Sequence, residues 1–216
     1  MAATQRERLL DGLVQTVAEH GFTRATISDI CRAAGVTRPA FYEQFEGKED
    51  AFLAAHRFGT AVLVKRMTEA YEAEPEWRRA VCAALRTMLH LLAAVPAFAA
   101  MVVEIDAVGV AGRRQREQFL QRLRAFFANC PELPGGFARE AVVDAVIGGV
   151  YATVYQCIDR RSAAELPSLE GMLSFFCLVP FTSPHEASDW LSGTTAAPVV
   201  PLDPDCRLLD APATPQ

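Results

Sequence analysis

The chain has 216 residues, of which 51% are hydrophobic and 22% charged, with a formal net charge of −5. That apolar fraction excludes a wholly disordered chain, and the length allows one large or two small domains with a real core. The acidic balance excludes the broad basic footprint of a non-specific nucleic-acid binder: Arg6, Arg8, Arg24, Arg32, Arg38 and Lys48 face eight acidic side chains in the first fifty residues.

Arg6 to His20 reads as a first helix, with Leu10, Leu13, Val14 and Val17 on one face and Gly21 as its stop. A basic arm ahead of it is nearly absent. Thr26 opens a second helix, with Asp29 placed three residues on for a capping box. Ile27, Ile30, Cys31 and Ala34 recur at the spacing of one buried helix face. Gly35 stands where the helix must turn left-handed, a conformation that a side chain opposes. Val36 plugs the turn and Thr37 caps a third helix, whose first turn tolerates Pro39 because amides there have no intrahelical partner to lose. Phe41 and Phe45, one turn apart, face the core. Arg38, Ala40, Tyr42 and Gln44 are then expected to point outward, with Lys48 just beyond Gly47.

This stretch resembles the DNA-binding domain of the TetR family of bacterial transcription regulators. The resemblance is carried by Thr26, Asp29, Ile30, Ala33, Ala34, Gly35, Val36 and Thr37, then by Phe41, Tyr42, Phe45, Lys48 and Glu49. It implies a helix–turn–helix whose second helix enters the major groove of double-stranded DNA, N-terminal residues first. By the same resemblance Thr26, Thr37, Tyr42, Gln44 and Lys48 touch phosphates or groove edges. Arg38 is the candidate for a bidentate bond to guanine or, failing that, for a phosphate. Pro39 and Ala40 are placed to meet a thymine methyl group.

A long helix follows from Lys48 to about Tyr71, interrupted by Gly59, either a hinge or a close-packing site. Further helices are expected over Glu76–Val95, Pro96–Val108 and Gly112–Cys130. The last carries Arg113, Arg114, Arg116, Arg122 and Arg124, read as a solvated face with local acidic partners. A loop at 131–136 leads to a helix over Phe137–Arg160, almost wholly apolar from Ala145 to Val154, and then to one over Leu166–Pro180. These two resemble the last pair of family helices, which join their symmetry mates in a four-helix homodimer interface. Gly148, Gly149, Ala152, Met172, Phe175 and Phe176 are the interface candidates. After Pro184 periodicity fades, with at most one more helical turn around Trp190, and a proline-rich tail is expected to be disordered.

The expected fold is all-α with about nine helices: a helix–turn–helix domain at 1–47, a helical ligand-binding and dimerisation domain at 48–186, and a tail at 187–216. By family resemblance, a small-molecule effector in the second domain changes the dimer geometry. Candidate lining residues are Met67, Tyr71, Trp77, Met88, Phe98, Met101, Phe119, Phe126, Tyr151 and Tyr155, whose character favours an apolar or aromatic effector. No enzyme motif appears: the four histidines lack metal-binding spacing, and there is no nucleophile elbow or phosphate-binding glycine loop. The six cysteines form no C-x-x-C pair, so neither a metal nor a cofactor is indicated. Glu104 and Asp106 in an apolar helix could hold a cation, or simply pair with neighbours. The longest uncharged apolar run, Thr87 to Val103, carries His90 and Pro96 and is rejected as a membrane span. A cytoplasmic repressor acting on a near-palindromic operator is the expectation, with an activator or a DNA-free regulator acting through protein contacts or small-molecule binding as alternatives.

Overall fold

The computed structural model describes residues 4–133, 136–160 and 162–193, and every regular element among them is helical. Ten α-helices follow in order: α1 (Gln5–His20), α2 (Ile27–Ala34), α3 (Arg38–Tyr42), α4 (Lys48–Glu72), α5 (Trp77–Ala94), α6 (Pro96–Glu104), α7 (Val110–Leu123), α8 (Arg139–Asp159), α9 (Glu170–Leu178) and α10 (Pro184–Gly193). Short 3-10 segments continue α6, α7 and α9 and lead into α9. The all-α class is as expected, but α10 is additional. It is opened by a reciprocal cap in which the Glu186 amide donates to Ser183 Oγ (3.1 Å) and the Ser183 amide to Glu186 Oε2 (2.9 Å). Residues 187–193, assigned to the tail from sequence, are therefore helical, and residues 194–216 lie outside the described residues.

The chain divides into two compact units, and neither matches a cut after residue 47. Among the described residues the first joins 4–62 with 95–118; the second joins 63–94 with 119–193. The reason is packing: α6 lies on α1, so Met101 and Ile105 belong to the same apolar core as Leu9, Leu13, Val17, Ile30, Phe41 and Phe52.

In the first unit, α1 starts at a capping box in which the Glu7 amide donates to Thr4 Oγ1 and the Thr4 amide to Glu7 Oε2. Its Gly12 presses on α2 so closely that a Cβ there would stand 2.8 Å from the Ala34 nitrogen and 2.9 Å from the Ile30 carbonyl oxygen. Gly59 of α4 is likewise a close-packing site: the Phe98 ring of α6 occupies the place where a Cβ would sit. Between α4 and α7, buried His56 makes a 2.9 Å contact from Nδ1 to Gln115 Nε2, which also donates to the Leu53 carbonyl at 2.9 Å. Burial disfavours the imidazolium and lowers the His56 pKa to about 4.

The second unit is built on α5, α8 and α9, with Leu85, Leu89, Leu92, Val146, Ile147, Val150, Leu166, Leu173 and Leu178 buried. Trp77 donates its indole N–H to the Phe126 carbonyl (3.0 Å) and packs edge-on against Phe181, the ring centroids 5.3 Å apart. Arg86 of α5 pairs with Glu170 at the start of α9 at 2.7 Å. Two of the five arginines expected on this face have acidic partners: Arg116 of α7 bonds Asp106, and Arg124, just past α7, forms a two-pronged bond with Asp144 of α8 at 2.6 and 2.7 Å.

The buried neutral histidine makes stability pH-dependent. Its folded pKa lies below the ordinary value of 6.5, so the unfolded chain binds the extra proton. The contribution is complete above pH 6.5 and is lost progressively as pH falls toward 4. Urea melts at pH 7.5 and 5 are expected to differ by about 2 kcal/mol from this group, and His56→Met should flatten that difference.

Candidate functional site

The helix–turn–helix is shaped by three local devices. Thr26 caps α2, its Oγ1 accepting the Asp29 amide at 3.2 Å and donating to the Asp29 carboxylate at 2.5 Å. That hydroxyl bond, followed by the Arg32 guanidinium, holds the Asp29 carboxyl below its usual range and keeps it ionised at the N-terminus of α2. Gly35 ends α2 at φ +63°, in the left-handed region, and Thr37 caps α3 by accepting the Ala40 amide at 3.4 Å. Phe41 and Phe45 then anchor α3 in the core, both buried, with ring centroids 5.6 Å apart.

With those anchors fixed, Thr26, Thr37, Arg38, Pro39 and Tyr42 lie exposed on the surface of the motif, Tyr42 at 51%. Gln44 is half-buried. Arg38 extends its Nη1 to 3.5 Å from Ser28 Oγ on α2, so Ser28 joins the candidate surface. One expected orientation is corrected. Ala40 is buried at 8% exposure, its N3 position on α3 turned inward rather than outward. Lys48 is engaged within its own domain. Its Nζ donates to the carbonyls of Phe22 (2.8 Å), Ala25 (2.9 Å) and Thr23 (3.4 Å), and sits 4.4 Å from the centre of the Phe22 ring.

Arg6, which carries no local signal in the sequence, reaches across 38 positions. Its Nη1 donates to the Gln44 carbonyl just past α3 at 3.1 Å, while the guanidinium carbon lies 4.5 Å over the Phe45 ring. Glu104 approaches from α6, its Oε2 accepting the Phe22 amide at 3.4 Å, and Asp106 is occupied by Arg116. Among the described residues no acidic, histidine or cysteine cluster fits a metal ion.

The second unit holds a small apolar pocket of about 40 Å³, lined by Met67, Val81, Ala84, Leu85, Met88, Leu123, Phe126, Phe127, Val146, Ile147, Val150 and Cys177. Burial pushes the Cys177 thiol up to about 12, so it stays protonated. Three of the ten expected lining residues, Met67, Met88 and Phe126, are there. The other seven serve elsewhere: Phe98 and Met101 pack in the first unit, Tyr71 and Trp77 pack on Phe126 and Phe181, Phe119 is buried, and Tyr151 and Tyr155 pack on each other. On the outer face of α8 and α9, Gly148 and Ala152 are exposed, as are Met172 (52%), Phe175 (37%) and Phe176 (40%). Gly149 is covered by Phe176 of the same chain, whose ring would stand 2.7 Å from a Cβ at that position.

Two capped helices joined by a glycine turn, the second presenting Arg38 and Tyr42, form a helix–turn–helix. Residues 9–55 match the family described as bacterial regulatory proteins, tetR family. The chain is 39% identical over 51 residues to the probable acrEF/envCD operon repressor of Escherichia coli K12, a match covering 24% of this chain and 23% of that protein. It thus aligns with about a quarter of that relative's length. The fold extends further. FadR of Bacillus halodurans, a fatty acid degradation regulator, superposes with a TM-score of 0.73 at 17% identity, covering 85% of this chain and 97% of that one. FadR of Bacillus subtilis in complex with stearoyl-CoA superposes at 0.69 and 18% identity, covering 82% and 97%.

The placement of Arg38 makes a specific prediction. Arg38→Ala is expected to relax discrimination at one base pair of each half-site by about 1–3 kcal/mol, measured by competition among single-substitution operators. Uniform weakening with discrimination intact would make Arg38 a phosphate ligand instead.

Proposed function

We propose that this protein is a homodimeric, sequence-specific transcription regulator that represses from a near-palindromic operator and is released by a small apolar effector. The observation that carries the reading is the helix–turn–helix itself: caps at Thr26 and Thr37, a left-handed Gly35, and Arg38 and Tyr42 exposed on a five-residue helix. One such motif covers too few base pairs for specificity. Two of them, related by a twofold axis and about 34 Å apart, read successive major grooves on one side of the duplex. The operator repressor of E. coli, similar over this same segment, supports the sign of regulation.

The exposed face of α8 and α9 supports the second copy. Met172, Phe175 and Phe176 form an apolar surface beside the small residues Gly148 and Ala152, which let another helix come close. By length and composition α8 and residues 163–181 could also cross a bilayer. The Arg124–Asp144 pair, about one turn before Gly148 on α8, and the packed inner face of both helices favour a protein partner, in a protein that works in the cytoplasm beside its DNA.

The effector reading rests on the cavity. Its wall is apolar apart from the neutral Cys177 thiol, and its size admits no more than a fragment, so an effector must spread the helices to enter. Met67 and Met88 on that wall adapt readily to a new shape. The complex of B. subtilis FadR with stearoyl-CoA supports a hydrocarbon-rich compound. Such a ligand regulates only through unequal affinity for the DNA-bound and released geometries.

Purified protein is expected to retard the DNA flanking its own gene at low salt, less so at 200 mM, and to leave scrambled DNA unshifted. Absence of a specific shift there and in a genome-wide pull-down would remove the regulator reading. The double substitution Phe175→Glu with Phe176→Glu should sediment as a monomer and lose about a hundredfold or more in operator affinity, because the two motifs are no longer linked.

A further inference from the structure

Between Arg38 and Lys48 the chain carries no lysine or arginine, and Glu43 and Glu46 stand just past the end of α3. A cation is brought to that end from α1. Arg6, exposed, donates from Nη1 to the Gln44 carbonyl at 3.1 Å, and its guanidinium carbon lies 4.5 Å over the Phe45 ring. Among the described residues no ion pair joins Arg6 to a carboxylate.

Arg6 is the second residue of α1, a position where the helix dipole disfavours positive charge, so its use lies outside α1. A guanidinium has five N–H donors in a planar fork and no acceptor. One goes to Gln44 and the Phe45 ring covers one face, which leaves the rest of the fork open. A neutral carbonyl and a ring orient the charge without cancelling it.

The five residues of α3 make about 7.5 Å of helix, against a major groove about 12 Å wide. A helix that enters with Arg38 first leaves its last turn near the lip of the groove, at the level of the sugar–phosphate chain. Gln44 lies two residues past that end, and Arg6 is anchored on it.

We infer that Arg6 is a DNA-binding residue: α1 contributes a phosphate ligand at the C-terminal end of α3, so the DNA surface of each copy is wider than the helix–turn–helix. The inference rests on the DNA-binding reading above. A guanidinium held beforehand loses little side-chain freedom on meeting phosphate and can bond it with two prongs. Such a contact fixes the register of the protein on the duplex and carries no base information.

The test has two arms, both on the full chain with the DNA that it retards. In the first, phenylglyoxal modification of arginines in wild-type protein is followed by mass spectrometry, with and without DNA. DNA is expected to slow modification of Arg6 at least about fivefold, while Arg79 of α5, 55% exposed at its side chain, keeps its rate. In the second, Arg6→Met covers Phe45 but removes the charge. It is expected to weaken binding about tenfold or more and to lower the slope of log K against log salt by about 0.9 per copy, about 1.8 for a dimer. Preference among single-substitution operators should stay unchanged. Arg6→Lys, which keeps the charge and loses the fork, should keep the wild-type slope. Weaker binding with an unchanged slope, or an altered base preference, would make Arg6 a positioning residue for α3 and overturn the inference. Arg6 left unprotected in the wild-type complex would overturn it too, and that arm decides even where Arg6→Met fails to fold. Wild-type protein that shifts no DNA would remove the regulator reading and this inference together, an outcome distinct from a shift in which Arg6 stays reactive.

Discussion

The first unit depends on how closely α1 can lie against α2. At Gly12 the backbone of one helix meets the backbone of the other, and even a methyl group there would collide with Ala34 and Ile30. That approach seats Leu9, Leu13 and Val17 against Ile30 and Phe41, and it sets the angle at which the turn at Gly35 delivers α3. A recognition helix of five residues has too few internal hydrogen bonds to be stable alone. Its position is a property of the core beneath it and of the cap at each end, Thr37 before it and the Arg6 bond to Gln44 after it.

An acidic DNA-binding domain looks contradictory only when charges are counted without their partners. Asp29 is engaged by Thr26 and Arg32, and it sits at a helix N-terminus where a carboxylate is favourable. Lys48 and Arg6 face carbonyls and aromatic rings of their own domain. What remains outward on the motif includes a small set of hydroxyls, Arg32 and Arg38, and a tyrosine. Such a surface suits recognition by fit and by a few base contacts better than by bulk electrostatic attraction.

The sequence disclosed what is local. Caps at Thr26 and Thr37, the stop at Gly35 and the apolar spacing of α2 all operate within four residues, and the structure has each of them. Whatever needed two distant segments stayed hidden: the commitment of Lys48 to carbonyls more than twenty positions earlier, the reach of Arg6 to Gln44, and the attachment of α6 to α1. The cap of α10 was visible in Ser183 and Glu186 but stood in a stretch whose composition suggested a tail. The lining of the apolar pocket follows packing rather than residue type. The wall is formed mainly where faces of α5 and α8 converge, so plain aliphatics such as Val81, Leu85, Ile147 and Val150 line it.

The way the chain divides bears on protein engineering. Hybrid regulators are commonly assembled by exchanging a DNA-reading head for another and keeping the sensor. Here a splice just after residue 47 would separate Lys48 from the loop it holds. It would also set Met101, Ile105 and Glu104 against a foreign head that lacks their partners Leu9, Leu13 and Phe22. A transplantable head must therefore be discontinuous, with the 95–118 segment travelling alongside residues up to 62, and Gly59 kept matched to Phe98.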